Sequence, residues 1–283
     1  MLFPTKHKVG LGLRSAHYAY LETAPQTNVG CFEALTEEYL DSRGRPHEML
    51  KKLRHEYPLA LHGMSLNVGS AEGVNRMYLA QLSRLAEQIE PFIISDHLSW
   101  MGNSKQYLHN LLPLPYTYET LDILSANIDL VQNVLRRPLA LENITNYLLN
   151  EHNEMTEVEF INRLTHRTGC HLLLDLNSVY NNSLNHDFNA EEYVMALNAD
   201  KISQIHLAGA TETDSVLIDN HGQEVSPELW ALFLKIAPRI RHLPVIIERD
   251  RNIPHFNALE KEVSMAIHLM ESTDETQRNP ALV

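Results

Sequence analysis

Histidines and carboxylates recur at one kind of place in this 283-residue chain: the end of a short apolar run. The stretch PFIISDHLSW (91–100) stays apolar until it stops at Asp96-His97. Burying two such groups is costly unless they are partnered. The pair therefore reads as a salt-linked core pair, an acid/base or a metal ligand, and the other runs choose between these. They end on His62, on Glu142-Asn143, on Asp175 with Asn177 beyond it, on His206, and on Glu248 with Asp250 beyond it. A further run leads into Thr36-Glu37-Glu38, and the long loop expected after the run that ends on His206 adds Asp219-Asn220-His221.

So many imidazoles and carboxylates converging on one mouth without a cation would leave buried groups repelling or unpaired. The set points to metal. Imidazole with carboxylate suits Fe, Mn or Zn, and the absence of a C-x-x-C pair argues against a structural zinc site. The donors exceed one ion's needs, so a cluster of two or three metals follows from the count. Glu142, central in the strand order, is placed to bridge two ions, an arrangement common in hydrolases. The polar run 181–187 reads as a loop that supplies one more candidate ligand, His186. Trp100 and Trp230 read as core or rim, and KKLR (51–54) as a solvated helix face.

The elements that must position these groups alternate in type. Strand candidates are VGLGL (9–13), GCFEALT (30–36), LALHG (59–63), PFIISDH (91–97), PLALEN (138–143), CHLLLDL (170–176), ISQIHLAG (202–209) and PVIIERD (244–250). Between them lie amphipathic stretches at 46–57, 75–90, 118–137, 156–168 and 226–240, and one at 257–272 closes the chain. In the second of these Met77, Leu82, Leu85 and Ile89 fall on roughly one face. Eight strands alternating with helical patterns, the first connection being weak, predict a (β/α)8 TIM barrel. Its active site forms where the strands end. VGLGLRS holds only G-x-G, which argues against an open nucleotide-binding sheet. The chain is expected to be one domain over 1–283, with a barrel core from about 9 to 273 and a frayed tail at 274–283.

Charge and composition narrow the classes. With 23 basic and 36 acidic residues the formal charge is -13, which disfavours a nucleic-acid partner. Cys31 and Cys170 do not form a disulfide framework. No apolar run is long enough to span a membrane and no signal-like segment opens the chain, so a cytoplasmic protein without a membrane partner is expected.

LHG (61–63), SDHLSW (95–100), YLHNLLPLPY (107–116) and LEN (141–143) together resemble the DUF692 family. So do LDLN (174–177), Asn185-His186, IHLAG (205–209), LIDNHG (217–222) and Ile247-Glu248. Members are also called multinuclear non-haem iron-dependent oxidative enzymes and include the iron enzyme of methanobactin biosynthesis. The resemblance implies a TIM barrel similar to those of xylose isomerase and endonuclease IV. It implies two or three irons cycling between Fe(II) and Fe(III), with O2 as cosubstrate. It also implies a ribosomally made peptide as substrate, usually modified at cysteine, and a small partner protein presenting its leader.

By that resemblance His62, His97 and Glu142 bind one iron, and Glu142, Asp175, His206 and Glu248 a second. Asp219 and His221 help to hold a third, with Asn177 or His186 nearby. Asp96 would orient a neighbouring group, so that Glu142, Asp96 and Asp175 are the catalytic candidates. Two motifs depart from the family pattern. EALTEEY (33–39) stands where E-x-H-x-E-N-Y is usual, and DLNS (175–178) where D-x-N-N is usual. Both departures are expected near the barrel mouth.

Two other functions compete. One is a metal-dependent hydrolase or sugar isomerase on the same kind of barrel, its endonuclease form weakened by the acidic charge. The other is a metal-binding scaffold without turnover.

Overall fold

In a computed structural model, which describes residues 8–40, 42–103, 106–213 and 217–278, eight parallel strands close into a barrel. They are β1 (Val9–Leu13), β2 (Phe32–Leu35), β3 (Leu59–His62), β4 (Ile94–His97), β7 (Ala140–Glu142), β8 (His171–Asp175), β9 (Ile202–Leu207) and β12 (Val245–Ile247). The order around the barrel is β1-β12-β9-β8-β7-β4-β3-β2. All eight expected strands are present, each at or inside its expected bounds. The final helix runs on to Arg278, and residues 279–283 of the expected tail lie outside the described residues.

Helices clothe the barrel: α1 (Tyr18–Leu21), α2 (Arg45–Glu56), α3 (Arg76–Ile89), α4 (Tyr118–Leu135), α5 (Glu157–Thr168), α6 (Leu176–His186), α7 (Ala190–Ala196), α8 (Pro227–Ile240) and α9 (Phe256–Arg278). Their ends carry the expected chemistry. Thr156 and Glu159 form a capping box on α5, and Gly169 takes the left-handed conformation that closes it (φ 73°). The buried stripe of α3 is Tyr78, Leu79, Leu82, Leu85 and Ile89, whereas Met77 is 74% exposed. The expected face was thus right at three positions and one residue out of phase at Met77.

Two antiparallel hairpins stand outside the barrel ladder: β5 (Trp100–Gly102) with β6 (Tyr107–Leu112), and β10 (Gly209–Glu212) with β11 (Leu217–Gln223). The second pair replaces the loop expected after the seventh barrel strand. Its base is closed by Gly209, where a Cβ would come within 2.2 Å of the Glu224 carbonyl oxygen. A second expected loop, 181–187, is mostly helix, being the second half of α6. Cys31 and Cys170 are buried and unpaired. No helix among the described residues is long and apolar enough to cross a membrane.

Candidate metal centre

Successive side chains on a strand face opposite ways. One parity of the barrel strands fills the interior at its carboxyl end with polar groups, namely His62 on β3, His97 on β4, Glu142 on β7, Asp175 on β8, His206 on β9 and Glu248 just past β12. These six make up two groups whose ligand atoms all lie within 4.8 Å of one another: His62–His97–Glu142 and Glu142–Asp175–His206–Glu248. Hairpin β10–β11 contributes to a third, Asp175–Asp219–His221, and a fourth combines His221 with Glu248 and Asp250. Glu142 links the first two groups and Asp175 the second and third.

The imidazoles are oriented for ligation. His97 Nδ1 lies 3.1 Å from the Gly63 carbonyl oxygen, which can only accept, so the proton sits on Nδ1 and Nε2 is free. His62 Nδ1 lies 2.8 Å from Ser95 Oγ, which passes its own proton towards the Leu61 carbonyl. His62 Nε2 and His97 Nε2 are then both 3.1 Å from Glu142 Oε2. His206 turns Nδ1 to Glu142 Oε1 and Glu248 Oε2, each at 3.0 Å. His221 Nε2 faces Asp219 Oδ1 at 2.9 Å and Asp175 Oδ2 at 3.5 Å.

The residues fit metal ions. Glu142 Oε2 is fully buried and accepts no hydrogen bond, although two ring nitrogens stand 3.1 Å away. Ligand atoms of three residues thus face a common gap, which a cation would fill once His62 has given up its Nε2 proton. The donor set is imidazole and carboxylate without thiolate, a set suited to iron, manganese or zinc.

Electrostatics show how tightly the groups depend on each other. Burial opposes charge on Glu142, but His62, His206 and His97 outweigh it and hold the carboxyl well below its usual range. Burial likewise opposes Glu248, and His206 and His221 hold it low. Burial works against a charged His62, yet Glu142 raises its pKa to about 9. Burial dominates at His97 and lowers it, leaving a neutral ring. Asp175 is pushed up to about 7 by burial and by Asp219, against the pull of His221. Asp175 also serves the fold: its Oδ1 accepts from the Ser178 amide at 2.7 Å and so caps α6, leaving Oδ2 to the site.

Three expected site residues are engaged in contacts of their own. His186 ends α6, eleven residues beyond Asp175 and about 16 Å further along the helix axis. Its Nε2 is 2.6 Å from the Asn146 carbonyl oxygen, and it belongs to none of the four groups. Asp96 has the opposite parity to Ser95 and His97. Its Oδ2 accepts from the Leu66 amide at 3.1 Å and its Oδ1 from the His97 amide at 2.8 Å, so it braces the segment after β3. Burial and the Glu37 charge push its pKa up to about 7. Asn177 spends its amide on Asp219, donating to Oδ1 at 2.7 Å.

Other residues of the site carried weaker signals. Glu33 and Gln204 lie on the interior parity of β2 and β9, deep beneath His206. Glu33 Oε1 is 2.9 Å from His206 Nε2, and Gln204 Nε2 donates to Glu33 Oε2. Arg14, just past β1, is buried and bonds Asp250. Period-2 counting from His206 and from Gly12 reaches Gln204 and Arg14, but neither ends a run on a ligand-type side chain. The two motif departures are at the mouth as expected. Leu35 and Glu38 line a cavity of about 990 Å3 that opens onto His62, His97 and Glu142. Ser178 Oγ donates to Asp219 Oδ2 at 2.9 Å.

Comparison with known proteins follows the same lines. A family model described as RiPP precursor modification enzyme MbnB/TglH/ChrH matches residues 8–271. A UPF0276 protein of Rhizorhabdus wittichii is 42% identical over 258 residues, covering 91% of this chain and 92% of that protein. A UPF0276 protein of Acaryochloris marina is 43% identical over 257 residues, with the same coverage. Among solved structures, L-ribulose 3-epimerase aligns with a TM-score of 0.61 at 13% identity, over 96% of this chain and 97% of that one. Endonuclease IV of Thermus thermophilus aligns with a TM-score of 0.60 at 16% identity, over 93% and 99%. At such identities these two share the fold alone.

Proposed function

Because the chain belongs to the MbnB/TglH/ChrH family of RiPP precursor modification enzymes, we propose that it is a multinuclear non-haem iron oxidoreductase that uses O2 to modify a peptide. The substrate is a ribosomally made peptide, altered at cysteine or another residue and presented by a small partner protein. The observation that carries this reading is the buried Glu142 Oε2, which has no hydrogen bond and faces the Nε2 atoms of two histidines.

His62, His97 and Glu142 would hold one ion, Glu142, Asp175, His206 and Glu248 a second, and Asp175, Asp219 and His221 a third. When bound, iron would supply the Fe(II)/Fe(III) couple and the capacity to react with O2. The chain's own groups do the positioning. Gly63 and Ser95 fix the two outer imidazoles from behind, and Glu142 divides its two oxygens between neighbouring groups. The cavity above them is of a size that takes a peptide side chain with some flanking backbone. Its wall carries Leu35, Met64, Met101, Tyr147 and Ile218, apolar surface suited to excluding water around a peptide.

The test is to reconstitute anaerobically purified protein with Fe(II) and supply peptides encoded beside its gene, with and without any small neighbouring protein. O2 uptake with a mass change in one peptide supports the reading. Activity restored by zinc or manganese on a phosphodiester or a ketose would support the hydrolase or isomerase alternative.

A further inference from the structure

Asp219 and His221 differ from the other members of these groups in coming from β11, outside the barrel. Something must hold that hairpin in register with the site. Asp219 is gripped on one side by Asn177 at 2.7 Å, Thr145 Oγ1 at 2.8 Å and Ser178 Oγ at 2.9 Å. His221 has a different anchor. Its backbone is left-handed (φ 47°), a conformation a non-glycine residue keeps only when its surroundings hold it. The Asp250 amide donates to the His221 carbonyl at 2.9 Å, and Asp250 Oδ2 lies 3.1 Å from His221 Nδ1. Asp250 Oδ1 is itself bonded by the guanidinium of Arg14, which is buried at the end of β1.

We propose that Asp250, clamped by Arg14, is the positioning residue for His221 and so builds the outermost ligand group, Asp175–Asp219–His221; this rests on the metal reading above. By accepting the Nδ1 proton, Asp250 leaves Nε2 free to face Asp219 and Asp175. Asp250 also competes with Glu248, whose Oε2 is 3.2 Å from the same Nδ1. Holding that proton keeps Glu248 available to the deeper group with His206 and Glu142. Asp250 is near enough to His221 and Glu248 to be a ligand itself, but Arg14 decides against that role. The guanidinium bonds Asp250 and stands 3.9 Å from Glu248 Oε1, so a cation between them would meet a buried like charge.

Occupancy of the outer group is therefore separable from that of the deeper ones. The experiment compares wild type with D250A and D250N in two measurements. The first is Fe(II) bound per chain by anaerobic equilibrium dialysis; the second is amide hydrogen exchange of 217–223 in metal-free protein. D250A is expected to keep the deeper ions, to bind the outermost ion about 10- to 100-fold more weakly, and to exchange β11 amides faster. D250N, which keeps the shape and an acceptor oxygen, moves the same way by less and serves alone if D250A does not fold. Wild-type affinity at every site with unchanged exchange overturns the proposal. So does loss of all ions together, which would make Asp250 a ligand or a general structural residue. A wild-type chain that binds no iron sinks the metal reading instead, while the exchange arm still tests the anchor.

Discussion

Glu142 Oε1 lies 3.0 Å from His206 Nδ1, while its other oxygen faces His62 and His97 and takes no hydrogen bond. One carboxylate therefore belongs to two ligand groups. Glu142→Ala is expected to empty both together, and Glu142→Gln to weaken both by more than about 100-fold, beyond the usual effect of residues that merely back a ligand. Metal counts on the purified variants decide this. Loss of one ion with the other held at wild-type affinity would show that Glu142 is not shared.

His62→Ala is expected to remove about one ion per chain and leave the deeper group filled. His186→Ala is expected to leave the count unchanged, since its ring is committed to the Asn146 carbonyl. Iron analysis of the two variants side by side separates these outcomes, and a lower count in His186→Ala would restore that residue to the site.

Asp96 is predicted to matter for stability rather than for metal. Asp96→Ala leaves the buried Leu66 amide and the part-buried His97 amide without their acceptor. That costs about 1–3 kcal/mol. Thermal melts should show the loss while iron content stays at the wild-type level. A folded Asp96→Ala protein with reduced iron would contradict this assignment.

Metal-free protein should lose stability as pH rises through neutrality. His62 is raised from 6.5 to about 9, so its contribution is whole below 6.5 and is lost as pH climbs through 9. Asp175 is raised from 3.8 to about 7, so its burial is increasingly penalised as pH rises from 3.8 to about 7 and is fully penalised above that. Glu142 and Glu248, held low, stay charged across this window and lose their contribution only in acid. Metal loading runs the other way. One proton must leave His62, so affinity at the His62–His97–Glu142 group should rise about tenfold per pH unit up to about 9. Melts of metal-free protein at pH 6.5 and 9, with dialysis at the same values, check both directions. A flat or rising melting temperature would refute the charge assignment.

Much of this was legible because a barrel strand buries apolar residues along its length and releases polar ones at its end. His62, His97, Glu142, Asp175, His206 and Glu248 stand at such ends, and these are the residues that make up the two barrel-interior groups able to hold a metal ion. What escaped has physical reasons. The half of α6 read as a loop is rich in asparagine, a weak helix former. Tertiary contacts override that preference, for Asn182 accepts from the Asn146 amide and donates to the Ile144 carbonyl. His186, read into that loop, ends the helix instead. Hairpin β10–β11 was read as a loop because Asp219, Asn220 and Gly222 are residue types that strands usually lack. Arg14 and Glu33 were missed as site residues because a charge inside a barrel is explained only by partners far away in sequence.

The central claim is that these carboxylates and imidazoles hold iron. Elemental analysis of protein purified without oxygen, from cells grown with iron and zinc both available, tests it most directly. Two or three irons per chain, falling sharply in Glu142→Ala, is the predicted result. A well-folded chain carrying no iron, or zinc alone, would contradict the account.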